Sequence, residues 1–141
     1  MLRKKHGFTL IELMLVVIII GILVSMVVPR LAGRSEQARV AAARADINAN
    51  IATALDMYEL DNGEYPTAEQ GLKALVAKPD SSPVPTHWNG PYLKKIPLDP
   101  WQRPYEYKMP SNHNQDYDLS SLGPDGIESA DDIVNWNESS P

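Results

Sequence analysis

Hydrophobic positions fall into two regimes along this chain. From Phe8 to Val28 the sequence reads FTLIELMLVVIIIGILVSMVV, and Glu12 is the one charged residue in the run. As a helix at ~1.5 Å per residue, these 21 residues span ~31 Å, about one hydrocarbon core. Pro29 ends the run. Proline removes a backbone donor and crowds the preceding turn, so a kink or local melting is expected there. Beyond it, Ser35 to Leu60 is rich in good helix formers. Val40, Ala43, Ile47, Ile51, Ala54, Leu55 and Tyr58 recur at three- and four-residue steps, which predicts one apolar stripe on a helix. Asn62-Gly63 supplies a C-terminal stop. Arg39, Arg44, Asp46, Asp56 and Glu59 lie off the stripe, on a face expected to be solvated.

The remainder predicts a small body. Thr67-Ala68-Glu69-Gln70 fits a capping box. A short helix should follow, burying Leu72, Leu75 and Val76 and ending before Pro79. Residues 79–91 hold four prolines and read as an ordered loop, clamped by Trp88 and Tyr92. Ile96 to Trp101 is rich in turn formers. Tyr105–Met109 and Asp116–Leu122 alternate as strands around the turn cluster Pro110–Asn114, which predicts a β-hairpin. Two strands alone are marginal, so a third strand or the long helix should cover one face. The fold class is therefore α+β: a long N-terminal helix packed on a small antiparallel sheet, with an acidic C-terminal loop.

Composition narrows the function. The formal charge is −5, and Arg3, Lys4 and Lys5 precede the apolar run. Without those three, ten Lys and Arg face 18 Asp and Glu, a formal charge of −8. An acidic body argues against nucleic acid, since phosphate binding needs a basic surface. With no cysteine, a disulfide framework, a cysteine zinc site and a thiol nucleophile are excluded. His6, His87 and His113 are scattered, and no metalloprotease, serine-hydrolase or nucleotide-binding string occurs, so an enzyme is not expected.

The basic residues before the apolar run should stay cytoplasmic, with the body exported. A secretory signal peptide cut near Leu31-Ala32-Gly33 and a simple one-span anchor both fit that pattern. Neither accounts for Glu12, because a carboxylate in lipid needs a partner. A cut after Gly7 would give Phe8 a new α-ammonium one helical turn from Glu12. The ammonium of the same chain, or of a staggered neighbour, could then neutralise the carboxylate and set the register between subunits.

Lys4-Lys5-His6-Gly7-Phe8-Thr9-Leu10-Ile11-Glu12 resembles the leader of the type IV pilin-like family. That resemblance implies cleavage between Gly7 and Phe8 by a prepilin peptidase, N-methylation of Phe8, storage in the inner membrane, and a role for Glu12 in assembly.

The segment Leu122-Gly123-Pro124-Asp125-Gly126-Ile127-Glu128-Ser129-Ala130-Asp131-Asp132-Ile133 packs four carboxylates into eight residues among turn formers. It reads either as a solvated turn or as a calcium loop, with Gly123 and Gly126 freeing the backbone. The spacing is not that of an EF-hand, because Ile127, Ser129 and Trp136 occupy its third, fifth and twelfth positions. This loop is similar to that of the major pseudopilins of type II secretion systems. So are Leu60-Asp61-Asn62-Gly63, Tyr65-Pro66-Thr67, Glu69-Gln70-Gly71-Leu72, Asp99-Pro100-Trp101 and Ile133-Val134-Asn135-Trp136. The resemblance implies one calcium held by the carbonyls of Leu122 and Ser129 and the carboxylates of Asp125 and Asp131, with Asp132 adjacent.

The expected organisation is a leader at 1–7, a transmembrane and assembly helix at 8–28, an amphipathic continuation at 29–62 and a periplasmic globular domain at 63–141. The implied function is a homopolymer, the periplasmic pseudopilus, that drives protein export. Its partners would be minor pseudopilins, prepilin peptidase, the inner-membrane assembly platform with its ATPase, and membrane lipid. The alternatives are a type IV pilin, a minor pseudopilin, and a monomeric membrane-anchored calcium-binding module.

Overall fold

The computed structural model describes residues 7–114 and 116–136, with the backbone alone described at 27–32. The basic leader residues Arg3, Lys4 and Lys5 lie outside the described residues. Backbone contacts divide the chain into two compact units, Met1–Gln37 and Ala38–Pro141.

Helix α1 covers Leu10–Ala45. Its first turn is closed by a reciprocal capping box: the Glu12 backbone N–H donates to Thr9 Oγ1 at 3.3 Å, and the Thr9 N–H donates to Glu12 Oε2 at 2.9 Å. Every described side chain from Phe8 to Met26 is exposed. Among the described residues, no helix is long and apolar enough to cross a membrane. The melting expected at Pro29 does not occur, since the helical backbone is unbroken from Leu10 to Ala45. A proline deletes one hydrogen bond, and the strong helix formers on its C-terminal side carry the remaining ladder.

In the second unit the irregularity comes later, as a π-helical turn at Asp46–Asn50, followed by helix α2 at Ile51–Asn62. The sequence pattern explains its place. Ala43, Ile47 and Ile51 repeat every fourth residue, and on a 3.6-residue helix such a repeat drifts by about 40° per step. The wider turn keeps all three buried. Gly63 stops α2 with φ 84°, its N–H donating to the Glu59 carbonyl at 2.6 Å.

The predicted capping box forms: the Thr67 N–H donates to Gln70 Oε1 at 3.2 Å, and the Gln70 N–H donates to Thr67 Oγ1 at 3.3 Å. The helix after it is a short 3-10 turn, Gly71–Leu75. It buries Leu72, Ala74 and Leu75 and leaves Val76 only half-buried, because a three-residue turn puts a different set inward than an α-helix. Trp88 and Tyr92 hold the proline-rich loop as expected. The Trp88 indole donates to the Ala74 carbonyl at 2.9 Å, the Tyr92 hydroxyl donates to Asp61 at 2.7 Å, and the two rings meet edge to face.

The sheet has three antiparallel strands in sequence order: β1 (Glu106–Lys108), β2 (Asp118–Ser121) and β3 (Ile133–Val134). Tyr107 pairs with Leu119, and Ser121 with Ile133. All four residues of the central strand β2 are buried. Ile47, Ile51, Leu55 and Tyr58 from the helical segments share one core with Leu75, Tyr105, Tyr117, Leu119 and Ile133. Asp46, expected on a solvated face, is half-buried and accepts a hydrogen bond from the Tyr105 hydroxyl at 3.0 Å.

The hairpin turn is knotted around Asp118, which is 2% exposed. Its carboxylate accepts from the Ser111 hydroxyl at 2.6 Å, from the Asn112 N–H at 2.8 Å and from the His113 and Asn114 N–H groups at 3.3 Å. Burial pushes this carboxyl up, but bonds from Ser111, Asn112 and His113 outweigh it and hold it at about 2.

Candidate functional site

At the N-terminus the structure brings Thr9 and Glu12 together. The Thr9 hydroxyl also donates to Glu12 Oε2, at 2.9 Å, so the carboxylate takes two bonds from one residue. Gly7 and Phe8 lie just before this cap, and both are exposed.

The acidic loop gathers most of its predicted residues around Ser129. The Ser129 hydroxyl contacts Asp125 Oδ2 at 3.2 Å and also meets Asp131 Oδ1. The Ser129 N–H donates to Asp132 Oδ1 at 3.3 Å. Leu122 is tied in through its carbonyl, which accepts from the Gly126 N–H at 3.3 Å. Glu128 joins none of these bonds and is exposed. Burial, first, raises the Asp132 carboxyl above its ordinary range, the Ser129 N–H lowers it, and the charges of Asp131, Asp125 and Glu128 push it up again.

The chemistry of this donor set suits a hard cation. A hydroxyl carries one proton, yet Ser129 faces two carboxylates, so one of the two contacts has no hydrogen to share. All the candidate donors are oxygens, as calcium requires. The backbone also closes tightly here. At Gly123 (φ +64°) a Cβ would come within 3.0 Å of the Asp131 carbonyl. Among the described residues, no three acidic or histidine side chains stand together closely enough to hold a metal ion; each of the three loop aspartates is instead bonded to Ser129.

A third set of residues supports the loop and escaped the sequence reading. Asp99 is 1% exposed. It accepts from the Trp101 N–H at 3.0 Å, the Arg103 N–H at 2.8 Å and the Ser121 hydroxyl at 2.8 Å. The Gly123 N–H reaches the same Ser121 oxygen at 3.3 Å. Arg103 then extends along the loop, donating from Nη1 to the Gly123 carbonyl at 2.7 Å and from Nη2 to the Pro124 carbonyl at 3.2 Å. Its guanidinium fills the space over Gly126, where a Cβ would lie 2.6 Å from Cζ. Asp99 could be suspected from its turn-forming neighbours. No local signal joins Arg103 to carbonyls some twenty positions further along the chain.

Comparison with known proteins identifies this architecture. The family described as "Type II secretion system (T2SS), protein G" matches residues 30–136, and the prokaryotic N-terminal methylation motif matches residues 2–28. The chain belongs to the protein G family of type II secretion systems. The core protein G of Pseudomonas aeruginosa is 52% identical over 140 residues, covering 96% of this chain and 97% of that one. That of Aeromonas hydrophila is 49% identical over 137 residues, covering 96% and 94%. The crystal structure of the major pseudopilin from the type 2 secretion system of enterohaemorrhagic Escherichia coli superposes with a TM-score of 0.68. It is 39% identical and covers 79% of this chain and 95% of its own. This pseudopilin is thus a structural pseudopilus subunit of protein secretion and a component of the cell envelope. Its family is a structural one.

Proposed function

We propose that the chain is made as a precursor, cut between Gly7 and Phe8 by a prepilin peptidase and N-methylated at Phe8. It then waits in the inner membrane as a single-pass subunit with residues 8–28 in lipid, the N-terminus cytoplasmic and the body periplasmic. An inner-membrane platform lifts subunits into a helical homopolymer that works with minor pseudopilins to drive export. Such a polymer uses a heterologous interface that does not close on itself. The observation that carries this reading is the exposed apolar surface of Phe8–Met26 with Glu12 as its lone charge. That surface needs lipid before assembly and neighbouring helices after it. Glu12 is the register device, bonded to Thr9 within its own chain and available to an α-ammonium at Phe8 once the leader is gone.

Calcium belongs to the same reading. The carbonyls of Leu122 and Ser129 and the carboxylates of Asp125, Asp131 and Asp132 would hold it. When bound, it neutralises the loop and fastens the C-terminal segment to the sheet, as a disulfide does in other small exported domains.

The test is the native N-terminus and the fibre. Mass spectrometry of protein from its host should find methylated Phe8, and cells overexpressing the chain should carry fibres. Glu12→Val should leave membrane insertion intact and abolish fibres. An intact Met1 on the membrane-bound protein, or normal fibres from the Glu12→Val chain, overturns the reading.

A further inference from the structure

We propose that Arg103 is a positioning residue for cation binding by the acidic loop. It acts by holding the Leu122–Gly126 arm in shape, and this rests on the calcium reading above. The candidate donors sit on two arms. The 129–132 arm runs directly into β3 at Ile133 and is fixed by the sheet. The 122–126 arm leaves β2 after Ser121 with one strand-side tie, the 3.3 Å bond from the Gly123 N–H to Ser121 Oγ. Ser129 holds the Asp125 side chain at 3.2 Å, and Arg103 takes the arm's backbone. Its guanidinium takes the carbonyls of Gly123 and Pro124 and packs over Gly126. Leu122 and Asp125, the two candidate donors on this arm, lie immediately beside the clamped carbonyls. The guanidinium is itself fixed at its root, because the Arg103 N–H donates to buried Asp99 and the Arg103 carbonyl accepts from the Asp99 N–H, both at 2.8 Å.

A cation next to a cation site should repel calcium, so simple Coulomb reasoning gives Arg103 the wrong sign. Positioning gives the opposite sign. Partners that orient the ligands of a metal typically change affinity by about 10- to 100-fold when lost. Arg44 offers the control. It lines an open groove of about 490 Å³ together with Asp131 and Asp132, so its removal tests charge near the loop.

The experiment titrates calcium chloride into the full chain, purified in detergent and stripped of divalent ions, by calorimetry. Melting with and without calcium is read in parallel. Arg103→Ala should raise the calcium Kd about tenfold or more. Gly126→Ala keeps the charge but pushes a methyl into the guanidinium and strains the arm's backbone at φ +74°, and should weaken binding at least as much. Arg103→Lys retains charge but cannot fork across two carbonyls, so it should fall between wild type and Arg103→Ala. Arg44→Ala should leave Kd unchanged or tighten it. A merely structural Arg103 would lower melting equally with and without calcium; the positioning role shrinks the calcium-induced increment. If wild type binds calcium while Arg103→Ala and Gly126→Ala bind as tightly or more tightly, the role of Arg103 is overturned and the calcium reading stands. If wild type shows no calcium binding, both fall.

Discussion

The Ser121 hydroxyl donates to Asp99 Oδ2 at 2.8 Å, joining the central strand to the turn that carries Arg103. Both residues are essentially inaccessible to water, at 0% and 1% exposure. Replacing Asp99 with Ala would remove the one carboxylate that the Trp101 and Arg103 N–H groups and the Ser121 hydroxyl share. Each unmet buried donor costs about 1–3 kcal/mol. Asp99→Ala should therefore destabilise the body by roughly 3 kcal/mol or more in chemical denaturation, and Ser121→Ala by about 1 kcal/mol. Equal, small effects would show that the network carries no weight.

Tyr105 should matter through its hydroxyl as well as its ring. It is 5% exposed and donates to Asp46 at the start of the π-helical turn. Tyr105→Phe keeps the packing and removes a charge-assisted bond worth about 1.5–3 kcal/mol. Amide exchange in Asp46–Asn50 should quicken with the loss of stability. Unchanged protection there would mean the π turn is held by the buried isoleucines alone.

Acid should loosen the hairpin turn. The Asp118 carboxyl is held at about 2, below its ordinary 3.8. A carboxyl depressed on folding stabilises the folded state above its unfolded value, and that stability is lost as pH falls toward the folded value. The unfolded chain binds the proton first, which is what pulls the equilibrium. About 2 kcal/mol should disappear between roughly pH 4 and pH 2. Asp118→Asn should flatten that part of the stability profile. A wild-type profile as flat as the variant's would refute the assignment.

Calcium removal tests the loop directly. For a site that binds only the folded state, calcium at 100 times its Kd adds about 2.7 kcal/mol, or roughly 5–10 °C of Tm for a chain of this size. A chelator should lower the Tm of the wild type by that order. The Asp125→Ala chain should melt at the same temperature with and without chelator. A wild-type Tm insensitive to chelator would count against the loop as a metal site.

Gln102 sits at φ 67°, the one described non-glycine residue in the left-handed region. Its N–H closes the Asp99 turn at 2.9 Å, so the conformation is imposed by the turn. A left-handed residue with a Cβ costs about 1–2 kcal/mol, and glycine gives back part of this through unfolded-chain entropy. Gln102→Gly should raise stability by about 0.5 kcal/mol. A loss of stability would show that the Gln102 side chain contributes contacts of its own.

By itself the sequence determined whatever depends on near neighbours. The four-residue repeat of Ala43, Ile47 and Ile51, the Asn62-Gly63 stop, the Thr67 and Gln70 cap and the alternation around Leu119 all follow from local periodicity and turn chemistry. So does the exposed apolar run with its single carboxylate. Tertiary structure decided what depends on closure across distance. A four-residue repeat does not say whether a helix drifts or widens, and the core chose a π turn. Proline signals a break, yet one missing bond did not interrupt α1. Asp46 reads as solvated until Tyr105 arrives from far along the chain. Arg103 reads as an ordinary surface cation until the Asp99 turn carries it to the carbonyls of Gly123 and Pro124. Short-range sterics and hydrogen bonding are written in adjacent residues, whereas the partners of a buried polar group are set only when distant segments pack together.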